Sequence, residues 1–147
     1  MQYIYYEQSL KRIDYIFKEF DNIIPINVAL LNKTEEVEMS IKGDMSSLFD
    51  PGEINEVVKC LDIKEFIDTY KIDKIDVLKI NIEGSEYDLL ERIIELNLHT
   101  NIKNLQIQFH RIIENCDSKR TKIQNALLQT HKCTWNYNFV WENWQIK

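Results

Sequence analysis

"KINIEGSEYDLL", residues Lys79 to Leu90, decides how this chain folds. The apolar run Ile75 to Ile82 stops abruptly, Glu83 and Glu86 bracket Gly84, and a helical pattern begins at once. "IDVLKINI" carries apolar residues on both parities, which predicts a strand buried on both faces, as in a parallel sheet. Ser85, with Asp88 three residues on, predicts a capped helix that turns Leu90, Ile93 and Ile94 inward. The stretch therefore reads as a strand-to-helix corner of an α/β sheet.

The flanking sequence alternates in the same way. "LQIQFH" sets Leu105, Ile107 and Phe109 against Gln106, Gln108 and His110, a period-two strand. Asp117 or Ser118 starts a helix through Ile123, Leu127 and Leu128, and the aromatic tail closes as a hairpin around Tyr137 to Val140. Upstream, "YIYY" (Tyr3 to Tyr6) predicts a strand ending at Glu7. Ser9 caps a helix with Leu10, Ile13, Phe17 and Phe20 on one stripe. Strands follow at Ile23 to Leu31, across "EVEMSIK", and at Ile54 to Cys60, with turns at Gly43-Asp44 and Pro51-Gly52. Asp62 and Glu65 form a capping box for a short helix carrying Phe66, Ile67 and Tyr70. Ligands of such sheets bind beyond the carboxyl ends of the strands, which points to Glu7, the Asn81 to Glu86 corner and His110.

Composition narrows the function. The 147 residues, 44% hydrophobic, predict one domain with a single core. A net charge of −6 with no basic cluster argues against a nucleic-acid partner. Three cysteines, widely spaced and without a C-x-x-C, argue against a disulfide framework and a zinc site and fit a reducing, cytoplasmic setting. No signal-peptide pattern opens the chain and no run approaches the ~18 apolar residues of a membrane span, so the expectation is a soluble, untargeted protein with no membrane partner. Trp135, Trp141 and Trp144 read as core and hairpin packing, since no basic groove accompanies them.

"IDVLKINIEGSEYDLLERI" resembles the motif around the fourth strand of the FkbM-type methyltransferase family, usually Lys-Ile-Asp-Val-Glu-Gly-x-Glu. "NVALLNKTEEVEMSI", "DMSSLF" and "KCLDIKEFIDTY" are similar to the family's third strand, Ser-Ser-Leu segment and Leu-Asp-x-Phe helix, in order, and "FVWENW" is similar to the tail of some members. The resemblance implies a Rossmann-like methyltransferase sheet in a single domain over residues 1–147, mostly parallel with a closing antiparallel hairpin. It implies transfer of a methyl group from S-adenosylmethionine to a hydroxyl of a sugar or small metabolite. Glu7 matches the acid that binds the cofactor's ribose. The family's glycine-rich first strand and turn have no counterpart here, so the expectation is a domain truncated at its amino terminus, either the carboxyl-terminal part of a longer product or one piece of a split enzyme completed by a complementary chain. That loss would let the strands at Tyr3 to Tyr6 and Ile75 to Ile82 pair, or leave two bare edges. The alternative is a non-catalytic remnant or interaction module that keeps the fold without binding cofactor.

Asn81, Glu83, Glu86 and His110 are the candidates for the chemistry. Methyl transfer from a sulfonium needs a hydroxyl held in line about 3 Å from the methyl carbon and relieved of its proton. Asn81 stands where the family usually has Asp; an amide keeps the hydrogen-bonding shape but can act neither as a base nor as a carboxylate ligand for a divalent cation. Glu83 and Glu86 sit at a helix amino terminus that stabilises negative charge, which suits orientation better than proton abstraction. His110, with an ordinary pKa of ~6.5, is the natural proton acceptor. Gly84 can serve through its backbone angle alone, and Ser46 and Ser47 are equally turn formers or ligand contacts. Glu83 and Glu86 as the acid/base pair of a hydrolase is a poor fit, because groups three residues apart on one helical turn do not flank a bond.

Overall fold

The computed structural model describes residues 20–42, 45–47 and 54–147. Glu7, the Tyr3 to Tyr6 strand, the Ser9 helix and the turns at Gly43-Asp44 and Pro51-Gly52 lie outside the described residues. The described elements are β1 (Ala29–Leu31), β2 (Glu35–Lys42), β3 (Met45–Ser47), β4 (Ile54–Asp62), α1 (Ile63–Thr69), β5 (Leu78–Ile80), α2 (Glu86–Glu95), a 3₁₀ turn (Leu98–Asn101), β6 (Asn104–Ile107), α3 (Cys116–Leu127), β7 (His131–Tyr137) and β8 (Trp141–Ile146).

Among the described residues the sheets are mixed rather than mostly parallel: the strands form two four-stranded groups, β1-β4-β2-β3 and β5-β6-β8-β7. Only β1–β4 and β5–β6 pair in parallel; β2–β3, β2–β4, β6–β8 and β7–β8 are antiparallel. Connection length explains the division, because a parallel pair needs a crossover of a dozen or more residues. β5 and β6 have one in α2, and β1 and β4 have one in the β2–β3 excursion, whereas the short links between β2 and β3 and between β7 and β8 leave those neighbours antiparallel. The closing antiparallel hairpin is present as expected, with residues 138–140 joining β7 to β8.

Both sheets contribute to one apolar core. Val28 beside β1 and Leu30 within it cluster with Ile80 of β5, Leu90 and Ile93 of α2, Leu105 and Ile107 of β6, Ile123 and Leu127 of α3 and Trp144 of β8. Each such side chain contributes about 1.5–3 kcal/mol by leaving water. The period-two reading of Leu105, Ile107 and Phe109 holds, since all three are buried. Trp144 is core as expected, but Trp135 lies exposed against Tyr137 on β7, and Trp141 lies under the Lys79 ammonium.

Several local expectations need adjustment. The strand expected at Ile75 to Ile82 shrinks to Leu78–Ile80, with Ile75 making a single bridge to Ile102. Val77 and Lys79 are exposed, so β5 is buried on one face and not on both. The strand expected at Ile23 to Leu31 is confined to Ala29–Leu31; Pro25 has no N–H to give a ladder, and Val28 N–H turns back to the Ile26 carbonyl at 3.0 Å. Asp62 caps α1 by accepting from Lys64 N–H at 2.7 Å, but Glu65 completes no box and takes the Thr34 hydroxyl instead. Ser85 precedes α2 without a side-chain cap, and Asp88 pairs with Lys119 at 3.1 Å.

At the amino end of β6 two histidines are buried. His131 presents Nε2 to the Ile102 carbonyl at 3.0 Å and Nδ1 to the Thr130 hydroxyl at 2.8 Å, and the His99 ring lies 6.2 Å away. Burial, first of all, lowers both pKa values, and for His131 the proximity of His99 and Lys147 adds to this. A histidine whose folded pKa is lowered is protonated first in the unfolded chain, so stability falls as pH drops below the ordinary ~6.5. Urea unfolding between pH 6.5 and 5, below the range in which the raised pKa of His110 contributes a slope of opposite sign, should show this loss, and His131→Gln should flatten the slope over the same range.

Candidate functional site

The site is built from the corner between β5 and α2. After Ile80 the chain passes through Asn81 and Ile82 into a tight turn in which Ser85 N–H donates to the Ile82 carbonyl at 3.2 Å. Two consecutive residues take left-handed backbone angles, Glu83 with φ 48° and Gly84 with φ 101°. A Cβ disfavours that region, so Gly84 is needed, and Glu83 carries a strain of the kind found where a side chain must be aimed. Gly84 is also buried, leaving little room for a methyl group.

Glu86 opens α2 and is fully buried, at 0% exposure. Its Oε2 accepts from Gly84 N–H at 2.8 Å, which closes the corner on itself. Its Oε1 accepts from His110 N–H at 2.7 Å and lies 3.2 Å from His110 Nδ1. One carboxylate thus ties the end of β5 to the segment leaving β6. The two strands are parallel, and the Gln108 N–H to Ile80 carbonyl bond at 3.0 Å extends their ladder, so corner and histidine share one carboxyl end of the sheet.

His110 is held from both sides. Its Nε2 lies 3.2 Å from Glu83 Oε1, and its side chain is 13% exposed against 33% for Glu83. A neutral imidazole has only one N–H to offer two carboxylates, so this arrangement favours the imidazolium. The pKa is raised accordingly, by the hydrogen bond to Glu86 above all, with the charges of Glu86 and Glu83 adding to it and burial opposing it. The lone pair expected on a proton acceptor is therefore exposed only above that raised pKa.

Of the residues singled out in the sequence, Glu83, Glu86 and His110 come into direct contact, and Asn81 belongs to the same corner. Asn81 Oδ1 is buried without a hydrogen-bond donor in the protein. Beyond them lies a network that the sequence reading missed. Glu142, 1% exposed, accepts at Oε2 from Arg120 at 3.1 Å, Gln124 at 2.7 Å and Asn136 at 3.0 Å. The Arg120 guanidinium also donates to Asn138 and lies near the Phe139 and Phe109 rings. It pins the hairpin tip to α3 next to the segment bearing His110. A cleft of about 370 Å³ lies on the opposite face of α2, lined by Asn32, Asp88, Glu91, Arg92, Glu95 and Lys122. Its acids are engaged by Lys119, Lys122 and Arg92, which makes it a charge-paired surface rather than a reactive one.

A family model described as the methyltransferase FkbM domain matches residues 22–140. The chain belongs to the FkbM methyltransferase family. No curated protein and no solved structure matches it. The FkbM assignment spans β1 through the tip of the β7–β8 hairpin, so the corner, His110 and Arg120 lie within the matched region, and Glu142 in β8 lies just past its end. No helix among the described residues is long and apolar enough to cross a membrane. Among the same residues no group of three or more His, Cys, Asp and Glu side chains is placed to hold a metal ion.

Two substitutions test the corner. Gly84→Ala places a Cβ at a buried, left-handed position and should cost about 1–2 kcal/mol in chemical denaturation. Glu86→Gln turns an amide N–H₂ toward backbone donors, and should cost about 2 kcal/mol or more while lowering the His110 pKa toward its ordinary value in an NMR titration.

Proposed function

We propose that this FkbM protein transfers a methyl group from S-adenosylmethionine to a hydroxyl of a sugar or small metabolite, with His110 as general base and Glu86 as the residue that orients it. The observation that carries this reading is the Glu86–His110 contact: a fully buried carboxylate holds Nδ1 and leaves Nε2 directed at the partly exposed Glu83. A carboxylate behind the distal nitrogen fixes the tautomer and stabilises the imidazolium formed when the other nitrogen takes a proton. Glu86 has no surface that an acceptor could touch, so it is a positioning residue. Glu83 holds Nε2 in the resting site and is the carboxylate that an incoming hydroxyl would meet first.

The donor set fits the proposed cofactor in one respect. S-adenosylmethionine carries an ammonium, two ribose hydroxyls and an adenine amino group as donors, and Asn81 Oδ1 is a buried acceptor in need of a donor. Asn81 and Glu83 would hold the cofactor's donor groups from this side, and Glu7 is proposed to bind the ribose. The bound cofactor supplies an electrophilic methyl group. The chain's residues supply acceptors that orient it, a base for the acceptor's proton, and a low-dielectric wall formed by Phe109 and Tyr87, both buried.

The proton account has a defined sign. His110 is a base only when neutral, and its pKa is raised, so the rate should climb with pH through a midpoint above the ordinary ~6.5. Methyl incorporation from labelled S-adenosylmethionine into a panel of sugars and hydroxylated metabolites should follow that rise. His110→Gln should lower it by about 10²–10⁴-fold, and Glu83→Gln should move the midpoint down. An unchanged rate in His110→Gln would remove the base from the account. Calorimetry that finds no cofactor binding would leave the chain a non-catalytic member of its family.

A further inference from the structure

We propose that Tyr87 is a positioning residue for His110, acting with Glu86 as a two-point clamp on that residue's backbone. Glu86 accepts the His110 N–H at 2.7 Å, and the next residue, Tyr87, donates its hydroxyl to the His110 carbonyl at 2.7 Å. Consecutive side chains of the first turn of α2 therefore hold both polar groups of one residue, 23 and 24 positions away in sequence. A buried tyrosine hydroxyl ordinarily finds some partner. The particular feature here is that its partner belongs to the residue whose N–H and ring nitrogen Glu86 already holds.

The clamp is rigid at each contact. Tyr87 is fully buried, and its ring lies 5.2 Å from that of Phe109, the residue preceding His110. Burial, with the Glu86 charge as a second cause, pushes the phenol pKa well above its ordinary range, so the hydroxyl remains a donor. With the carbonyl and the N–H both fixed, the backbone angles of His110 are set, and Nδ1 is kept on Glu86. Freeing the carbonyl lets the segment after β6 swing, and Nδ1 moves away from the carboxylate that raises its pKa.

The role of Tyr87 in the reaction rests on the reading of His110 as the base; its role in holding His110 does not, and the test separates the two. In an NMR titration of the unliganded chain, Tyr87→Phe should stay folded and shift the His110 midpoint downward by about half a pH unit, a threefold change in the protonation constant. The pH–rate profile should shift with it. Leu90→Val, which trims the same helix in the core without touching His110, should lower stability and leave the midpoint in place. A folded Tyr87→Phe whose His110 midpoint equals that of the unsubstituted protein would overturn the proposal. The unsubstituted chain gives a second readout that needs no variant. The His110 carbonyl carbon should show a deuterium isotope shift from the Tyr87 hydroxyl, and its absence would equally overturn the clamp. A moved midpoint with no methyl transfer in either protein would leave the clamp standing and remove the reaction.

Discussion

A single buried carboxylate joins the β5–α2 corner to the segment that follows β6. Glu86 is fully enclosed, and an ion in such a place is tolerated only when charge and hydrogen bonds replace its lost water. Here the replacements are the amino end of α2, the Gly84 and His110 N–H groups and the His110 ring. Each donor comes from a segment that Glu86 then fixes. The left-handed angles at Glu83 and Gly84 bring the Gly84 N–H round to the carboxylate, and the extra bond from Gln108 to Ile80 brings the segment after β6 alongside. Removing one partner from a buried pair of this kind costs about 3–5 kcal/mol, because the other charge stays behind.

Much of the site was legible in the sequence because the corner is a local structure. The abrupt end of an apolar run, a glycine between two acids and an immediate helical period specify a strand-to-helix turn whatever surrounds it, and His110 follows from the alternation of "LQIQFH". The parts that were not legible are those in which a distant partner decides. Glu83 and Glu86 look alike in sequence, yet Glu86 opens α2 and is fully enclosed, whereas Glu83 sits in the left-handed turn before the helix and stays a third exposed. Tyr87 looked like any helix residue; the signal was its place directly after the motif. Glu142 gave a clearer hint. With Trp144 read as core, period two in "WENW" turns Glu142 to the same face, where a charge demands a partner such as Arg120.

The sheet expectations failed for a related reason. Short apolar runs predict strands but carry no record of which edge they join, so Ile54 to Cys60 gave no warning that β4 would insert between β1 and β2. Hydrophobicity on both parities suggested that β5 is buried on both faces. It is one ladder of three residues, with Lys79 turned outward onto Trp141. The core nevertheless crosses from one sheet to the other, so the described sheets are joined by packing among Leu30, Leu90, Ile93 and Ile107 rather than by one continuous ladder.

The central claim is that the Glu86 carboxylate holds the backbone of the corner and of the strand end together, and amide hydrogen exchange measures this directly. The Gly84 and His110 amide protons belong to a turn and a post-strand segment, where exposed amides exchange rapidly. If Glu86 accepts both, they should exchange as slowly as the β6 ladder and open only with the whole domain. Exchange of either at the rate of an exposed loop would show that the buried carboxylate does not bind them, and the account of the site built on it would fail.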